Sequence, residues 1–286
     1  MKRLLLIIIL FVFSIGLYAQ HITFSEGDIP PNKVSPQDTL DFSKMRIQYK
    51  VLMVKDTLHP EKVTEDRLML QIGSKISKSS NYYKMINDSI LSQLLISGGA
   101  SEAFQAMRGR QMGDLTLIGS FFKNYPTGKI TALDKVLIDR FQYEENIPDF
   151  QWKLEKGEQE VLGYLCKKAT TNFRGRTYEA WYAPEIMISD GPWKFSGLPG
   201  LILKISDAKK QYVFEAIALS LISWKDPITL EKSSQCMKTN RENFNRAMKR
   251  YMDNPAGAIQ NSDKVTVSQK TLANLKAKPY NPIELE

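Results

Sequence analysis

Positions 190–205 read Asp-Gly-Pro-Trp-Lys-Phe-Ser-Gly-Leu-Pro-Gly-Leu-Ile-Leu-Lys-Ile, the stretch of this chain densest in residues with fixed backbone demands. Gly191-Pro192 marks a break, because proline locks φ and glycine supplies angles closed to other residues. Trp193 and Phe195 stand two apart, which predicts both aromatics on one face of a short strand. Pro199-Gly200 fits the central positions of a type II turn, with Gly200 at positive φ. Residues 201–205 form an almost unbroken apolar run, the pattern of a strand covered on both faces. The stretch therefore predicts a tight β-turn-β corner. It specifies a structure and names no chemistry.

The same residues carry a resemblance. Gly197-Leu198-Pro199-Gly200-Leu201-Ile202 resembles the signature of the GLPGLI family of exported bacterial proteins. Upstream, Phe173-Arg174-Gly175-Arg176, Glu179-Ala180-Trp181-Tyr182 and Gly191-Pro192-Trp193-Lys194-Phe195 look like the rest of that family's core pattern. The ending Asn281-Pro282-Ile283-Glu284-Leu285-Glu286 is similar to the family's tail. The family has no established activity, so the resemblance transfers no catalytic residue. Such sequences are also similar to a bowl-shaped domain in certain secreted bacterial peptide N-glycosidases. That likeness implies a bowl and surroundings of glycan or cell surface.

Residues 1–19 read as a secretory signal peptide: Lys2 and Arg3, an apolar core, then Leu17-Tyr18-Ala19 before Gln20. No later window is apolar enough for a transmembrane span. The expectation is an exported protein, periplasmic, attached to the outer surface or secreted, with residues 20–286 as one β-rich domain. Without Lys2 and Arg3 the formal charge falls from +8 to +6, and the excess is scattered. A nucleic-acid partner would show a basic stripe with interleaved aromatics; none is expected. Cys166 and Cys236 are the only cysteines. In an oxidising compartment they form either one disulfide or two unpaired thiols.

Period-two alternation predicts a strand over 44–55, with Met45, Ile47, Tyr49, Val51 and Met53 on one face, and a partner strand over 67–75. Residues 20–40 read as an extended lead-in. Period 3.6 predicts a helix over 81–97 and a further helical turn within 101–108. Strand character returns over 115–123, 136–143 and, briefly, 150–154. A hairpin joins 164–173 to 176–182 through Arg174-Gly175, and 211–219 pairs back on 201–205. Thr239-Asn240-Arg241-Glu242 is a capping box for a helix with Phe244, Ala247, Met248 and Tyr251 on its apolar face. The last thirty or so residues are polar and weakly patterned.

Candidate sites are sparse. His21 and His59 lie away from the motif, and no His or Cys pair has ligand spacing, so neither a metal nor a cofactor is expected. Glu179, Glu185 and Asp190 could serve a carboxylate-dependent hydrolase; simpler roles are an outward strand residue for Glu179 and a turn acid for Asp190. Arg174, Arg176 and Lys194 either border an anion-binding concavity or pair with acids across strands. Trp181, Tyr182, Trp193 and Phe195 either line a sugar- or peptide-binding face or fill the core. Alternation sends Trp181 and Tyr182 to opposite faces, and the core is the expectation for Trp193 and Phe195.

These readings converge on a mainly β chain with minor α. An antiparallel meander curves into an open barrel or bowl, with two or three helices at the rim. The expected function is a non-enzymatic binding or accessory protein of the cell envelope, with a glycan, peptide or envelope protein as partner. The alternatives are the hydrolase and a carrier of an apolar ligand inside the bowl.

Overall fold

The computed structural model describes residues 37–97, 105–106, 110, 119–137, 139–231, 236–262 and 267–286. The signal-peptide expectation, His21 and most of 101–108 lie outside the described residues. Twelve strands form one sheet. In chain order they are β2 (Met45–Val54), β3 (Val63–Ile72), β4 (Ser77–Asn81), β5 (Ser120–Lys123), β6 (Lys129–Val136), β7 (Asp139–Asn146), β8 (Lys153–Val161), β9 (Tyr164–Phe173), β10 (Arg176–Ala183), β11 (Leu201–Asp207), β12 (Tyr212–Leu221) and β14 (Met237–Thr239). The spatial order is β14-β7-β6-β5-β4-β3-β2-β12-β11-β10-β9-β8. Every pairing is antiparallel except β14 on β7. The sheet is not closed; it forms an open bowl, as the sequence predicts.

A second, two-stranded sheet pairs β1 (Gln37–Phe42) with β13 (Pro227–Glu231). The predicted lead-in is therefore paired at its C-terminal end. Four helices occur among the described residues: α1 (Tyr82–Ser97), α2 (Arg241–Asp253), α3 (Pro255–Gln260) and α4 (Gln269–Asn274). That exceeds the expected two or three, because the polar C-terminal stretch adds two short ones.

Alternation places the core as expected on β2, where Ile47, Tyr49, Val51 and Met53 are fully buried. The core continues through Tyr178, Ala180, Leu203, Ile205 and Phe214 to Phe244, Met248 and Tyr251 of α2. Asn240 caps α2 with its side chain, accepting from the Asn243 N–H at 2.8 Å. Arg174 and Gly175 both take positive φ, 43° and 77°, as a two-residue hairpin turn requires. β8 runs on to Val161, past the strand predicted over 150–154. It is an edge strand whose mostly charged, exposed side chains give no hydrophobic period.

The motif corner differs in detail from the prediction. Residues 191–200 form successive turns, closed by an isolated bridge between Asp190 and Ser196, so Trp193 and Phe195 lie on no strand. Trp193 instead takes a left-handed φ of 54°, and both rings enter the core with centroids 5.1 Å apart. Gly200 has the expected positive φ, at 151°. A Cβ there would lie 2.3 Å from the Ala183 carbonyl oxygen, so close packing of β10 against the corner also demands glycine. Leu201, Ile202 and Leu203 follow fully buried.

Candidate binding site

The polar residues of the motif region are used up inside the fold. Lys123 is buried and ion-paired with Asp190, and it also donates to the carbonyls of Gly191 (2.6 Å) and Phe195 (3.2 Å). Burial pushes its ammonium below the usual lysine range, while Asp190 acts in the opposite direction. Asp190 also accepts the Gly191 N–H at 2.7 Å, the turn-acid role. Tyr49 Oη donates to the Ile202 carbonyl (2.7 Å), and Ser79 accepts the Trp193 N–H (2.9 Å).

The three candidate cations occupy buried networks closed by the C-terminal residues. Lys194, 1% exposed, lies 2.5 Å from Glu145 Oε1 and 2.7 Å from Glu284 Oε1. Arg174 pairs with both Glu284 and Glu145. Burial pushes the Glu145 carboxyl up, but Lys194 and then Arg174 outweigh it and hold the group below the usual carboxylate range. Arg176 places its five N–H groups on Ile283 O, Asp207, Gln211, Asn281 Oδ1 and Pro282 O at 2.6–3.1 Å. Arg174 and Arg176 are engaged within these networks, and Lys194 also lines a small pocket of about 50 Å³ beside Tyr143, Phe244 and Glu284, so the expected cationic rim is here a set of largely internal ion pairs. The cross-strand alternative holds in kind for Arg176, which reaches Asp207 on neighbouring β11, but not in its partners: neither Glu179 nor Asp190 is used, and Glu145 and residues 281–284 supply acceptors instead.

Tyr182 is buried and Trp181 half-buried, as alternation requires. Trp181 donates to Glu179 (3.0 Å), which is ion-paired with Lys168 at 2.8 Å. Glu185 is exposed. Glu179 and Asp190 are thus each ion-paired with a different lysine. Cys166 and Cys236 are both free thiols, not a disulfide. Cys166 is buried on β9 and Cys236 immediately precedes β14, toward opposite edges of the large sheet.

A larger cavity lies elsewhere. A cavity of about 690 Å³ separates one face of α1 from the sheet. Met85, Asp88, Ser89, Ser92, Gln93 and Ile96 supply the helical side, at the three- and four-residue spacing of a single helix face. The floor follows from sheet register: Gln71, Lys78 and Phe122 are directly paired across β3, β4 and β5, so they share one face. Ser80, two residues beyond Lys78, lies on that face too. The β1/β13 sheet and the segment before it close the side with Asp226, Thr229 and Glu231.

Most charges in the cavity wall are matched. Arg46 pairs with Asp226, Arg140 with Glu231 and Lys84 with Asp88. Lys78 is held differently: its ammonium donates to the Thr229 carbonyl at 3.0 Å and stands 5.1 Å above the Phe122 ring. Burial pushes it down to about 8. Burial also raises the Asp134 carboxyl to about 7, against the Lys135 N–H that it accepts and the charges of Lys135 and Lys194. Sequence reasoning missed this site. Residues 77–81 read Ser-Lys-Ser-Ser-Asn and carry no hydrophobic period, and only the pairing of Lys78 with Phe122 reveals their role.

Fold and site together define an open antiparallel bowl. Its motif corner is a packing element, and a cavity of about 690 Å³ lies under α1. Residues 173–204 match the model of the family described as "Protein of unknown function (Porph_ging)", the GLPGLI family that the motif resembles. Among curated proteins there is no sequence match. Two solved structures of PNGF-II, a peptide N-glycosidase, are similar in shape, each at 15% identity. The one in space group C2 has a TM-score of 0.47 and covers 71% of this chain and 32% of its own. The one in P21 has a TM-score of 0.49, covering 79% and 38%. The chain thus spans about a third of the length of those structures.

Proposed function

We propose that this is an exported binding protein of the bacterial cell envelope, without catalytic activity of its own, that holds a small molecule or a glycan end in the cavity under α1. The observation that carries the reading is the cavity itself. Its volume of about 690 Å³ is in the range of ligand pockets, and its wall mixes apolar patches with hydroxyls and matched charges. Such a wall suits a polar ligand better than the apolar cargo of the carrier alternative. Export is supported by the charged, apolar and small-residue segments of positions 1–19. Among the described residues no helix is long and apolar enough to cross a membrane.

The test is native mass spectrometry of the secreted chain after exposure to a glycan and envelope extract. It is run beside a Ser120→Trp variant whose indole would fill the cavity, and beside a screen of hydrolase substrates. Small-molecule adducts on the parent that Ser120→Trp loses are the expected result, with a mature terminus at Gln20. Adducts indifferent to Ser120→Trp would remove the cavity from the reading, and turnover lost with Asp190→Asn or Glu179→Gln would replace binding by hydrolysis.

A further inference from the structure

We propose that the cavity under α1 selects a hydroxylated carboxylate, an acidic sugar, whose carboxylate lies against Lys78 Nζ and Ser80 Oγ. This rests on the binding role assigned above. Two independent features of β4 point to the ligand's charge and its position.

The first is the ammonium of Lys78. It has three protons, of which the Thr229 carbonyl takes one. The carboxylates that act on it, Asp88, Asp226 and Glu231, are each already paired with Lys84, Arg46 and Arg140. Lys78 thus brings a positive charge into a partly dehydrated cavity without an ion-pair partner among the described residues. Burial disfavours that charge, and a bound anion would restore it.

The second is the hydroxyl of Ser80. The residue is 3% exposed, and its Oγ has no hydrogen-bond partner among the described residues. A buried hydroxyl left unpaired is costly, so nearly all find a partner. Lys78 and Ser80 stand two residues apart on one face of β4, the separation at which one carboxylate can take a charge-assisted bond from the ammonium and a second from the hydroxyl.

The remaining wall narrows the class. A phosphate dianion is best held by guanidinium forks, yet the forks of Arg46 and Arg140 are occupied by Asp226 and Glu231. Lys135, the other wall ammonium without a salt bridge among the described residues, adjoins the Asp134 carboxylate, so Lys78 with the Ser80 hydroxyl is left to hold a monoanion. Ser89, Ser92 and Ser120 offer hydroxyl contacts, and Phe122 and Leu133 an apolar surface, which together fit the hydroxyl edge and the C–H face of a sugar ring.

The test is calorimetric titration of the mature chain at neutral pH and low salt with matched pairs: glucuronate against glucose, galacturonate against galactose, and inorganic phosphate as a third probe. The acids should bind at least about tenfold more tightly than their neutral partners, a difference of about 1.4 kcal/mol. Lys78→Met should erase that preference, Ser80→Ala should weaken acid binding several-fold, and added salt should weaken it too. Thermal melts of both variants confirm that the fold persists, and Ser80→Ala carries the test alone if Lys78→Met does not fold.

Equal binding of acid and neutral sugars, abolished by Ser120→Trp, would overturn the carboxylate assignment and leave the cavity as the binding site. So would phosphate that outcompetes both uronates. Acid binding that ignores Lys78→Met, Ser80→Ala and Ser120→Trp alike would overturn both this inference and the cavity reading. Failure of either uronate to bind overturns the acidic-sugar assignment, and the extract experiment then decides the cavity reading separately.

Discussion

Replacing Glu284 by glutamine tests whether the C-terminal residues are a structural part of the bowl. The carboxylate of Glu284 lies 2.7 Å from Lys194 and 3.6 Å from Arg241, and it pairs with Arg174 as well. Its side chain is only 7% exposed and that of Lys194 only 1%. Glutamine keeps the shape but removes the charge, leaving three cations to share Glu145. Removing one partner from a buried ion pair typically costs about 3–5 kcal/mol, because the other charge stays buried without compensation. Glu145 remains to absorb part of this, so the lower end, about 3 kcal/mol, is expected for Glu284→Gln.

The control is Asp253→Asn, which breaks the exposed Lys249–Asp253 pair (66% and 59% exposed) and should cost under about 1 kcal/mol. Urea melts of parent, both variants and the double variant Glu284→Gln/Lys194→Met measure the difference. The double variant should recover part of the loss, since the uncompensated ammonium is then gone. High salt should leave most of the Glu284→Gln loss in place, because buried pairs are weakly screened. A loss below about 1 kcal/mol, matching the Asp253 control, would refute the argument.

Three further outcomes follow from the structure. Gly200→Ala should destabilise by more than the roughly 1 kcal/mol of its positive φ alone, because its Cβ would strike the Ala183 carbonyl; Leu203→Ala, by emptying core volume, should cost roughly 2–5 kcal/mol in the same melts. Thiol titration under denaturing, non-reducing conditions should find both Cys166 and Cys236 reactive, whereas a count of zero would mean they are bridged. Two carboxyls should shape the pH dependence in opposite ways. Glu145 is held below its ordinary value, so its stabilisation is present above the unfolded carboxyl range and is lost as pH falls through the lower folded value; Glu145→Gln should flatten the acid limb. Asp134, raised to about 7, keeps its proton in the native state and costs stability as pH climbs from about 4 to 7. Asp134→Asn should therefore gain stability at pH 8 and none at pH 4.

What the sequence by itself determined is local. Alternation at Ile47, Tyr49, Val51 and Met53 decides which face of β2 is buried, because the side-chain period of a strand is two whatever it pairs with. The asparagine cap and apolar spacing place α2, and Arg174-Gly175 places a hairpin turn, since each depends on a few consecutive residues; at Pro199-Gly200 the sequence marks the positive φ of Gly200 but not the bend, in which the Leu201 N–H bonds the Ile186 carbonyl instead of closing a type II turn. The tertiary structure decided everything that depends on distant residues. Lys194 meets Glu284 ninety positions away, and Arg176 meets Asn281 at a separation of 105. An ion pair has no period, so the sequence could mark these cations as unusual but not say whether they were exposed or sealed in. The same holds for Lys78 and Ser80, polar residues in a polar run. They become floor residues of a cavity only because β4 lies between β3 and β5 beneath the face of α1.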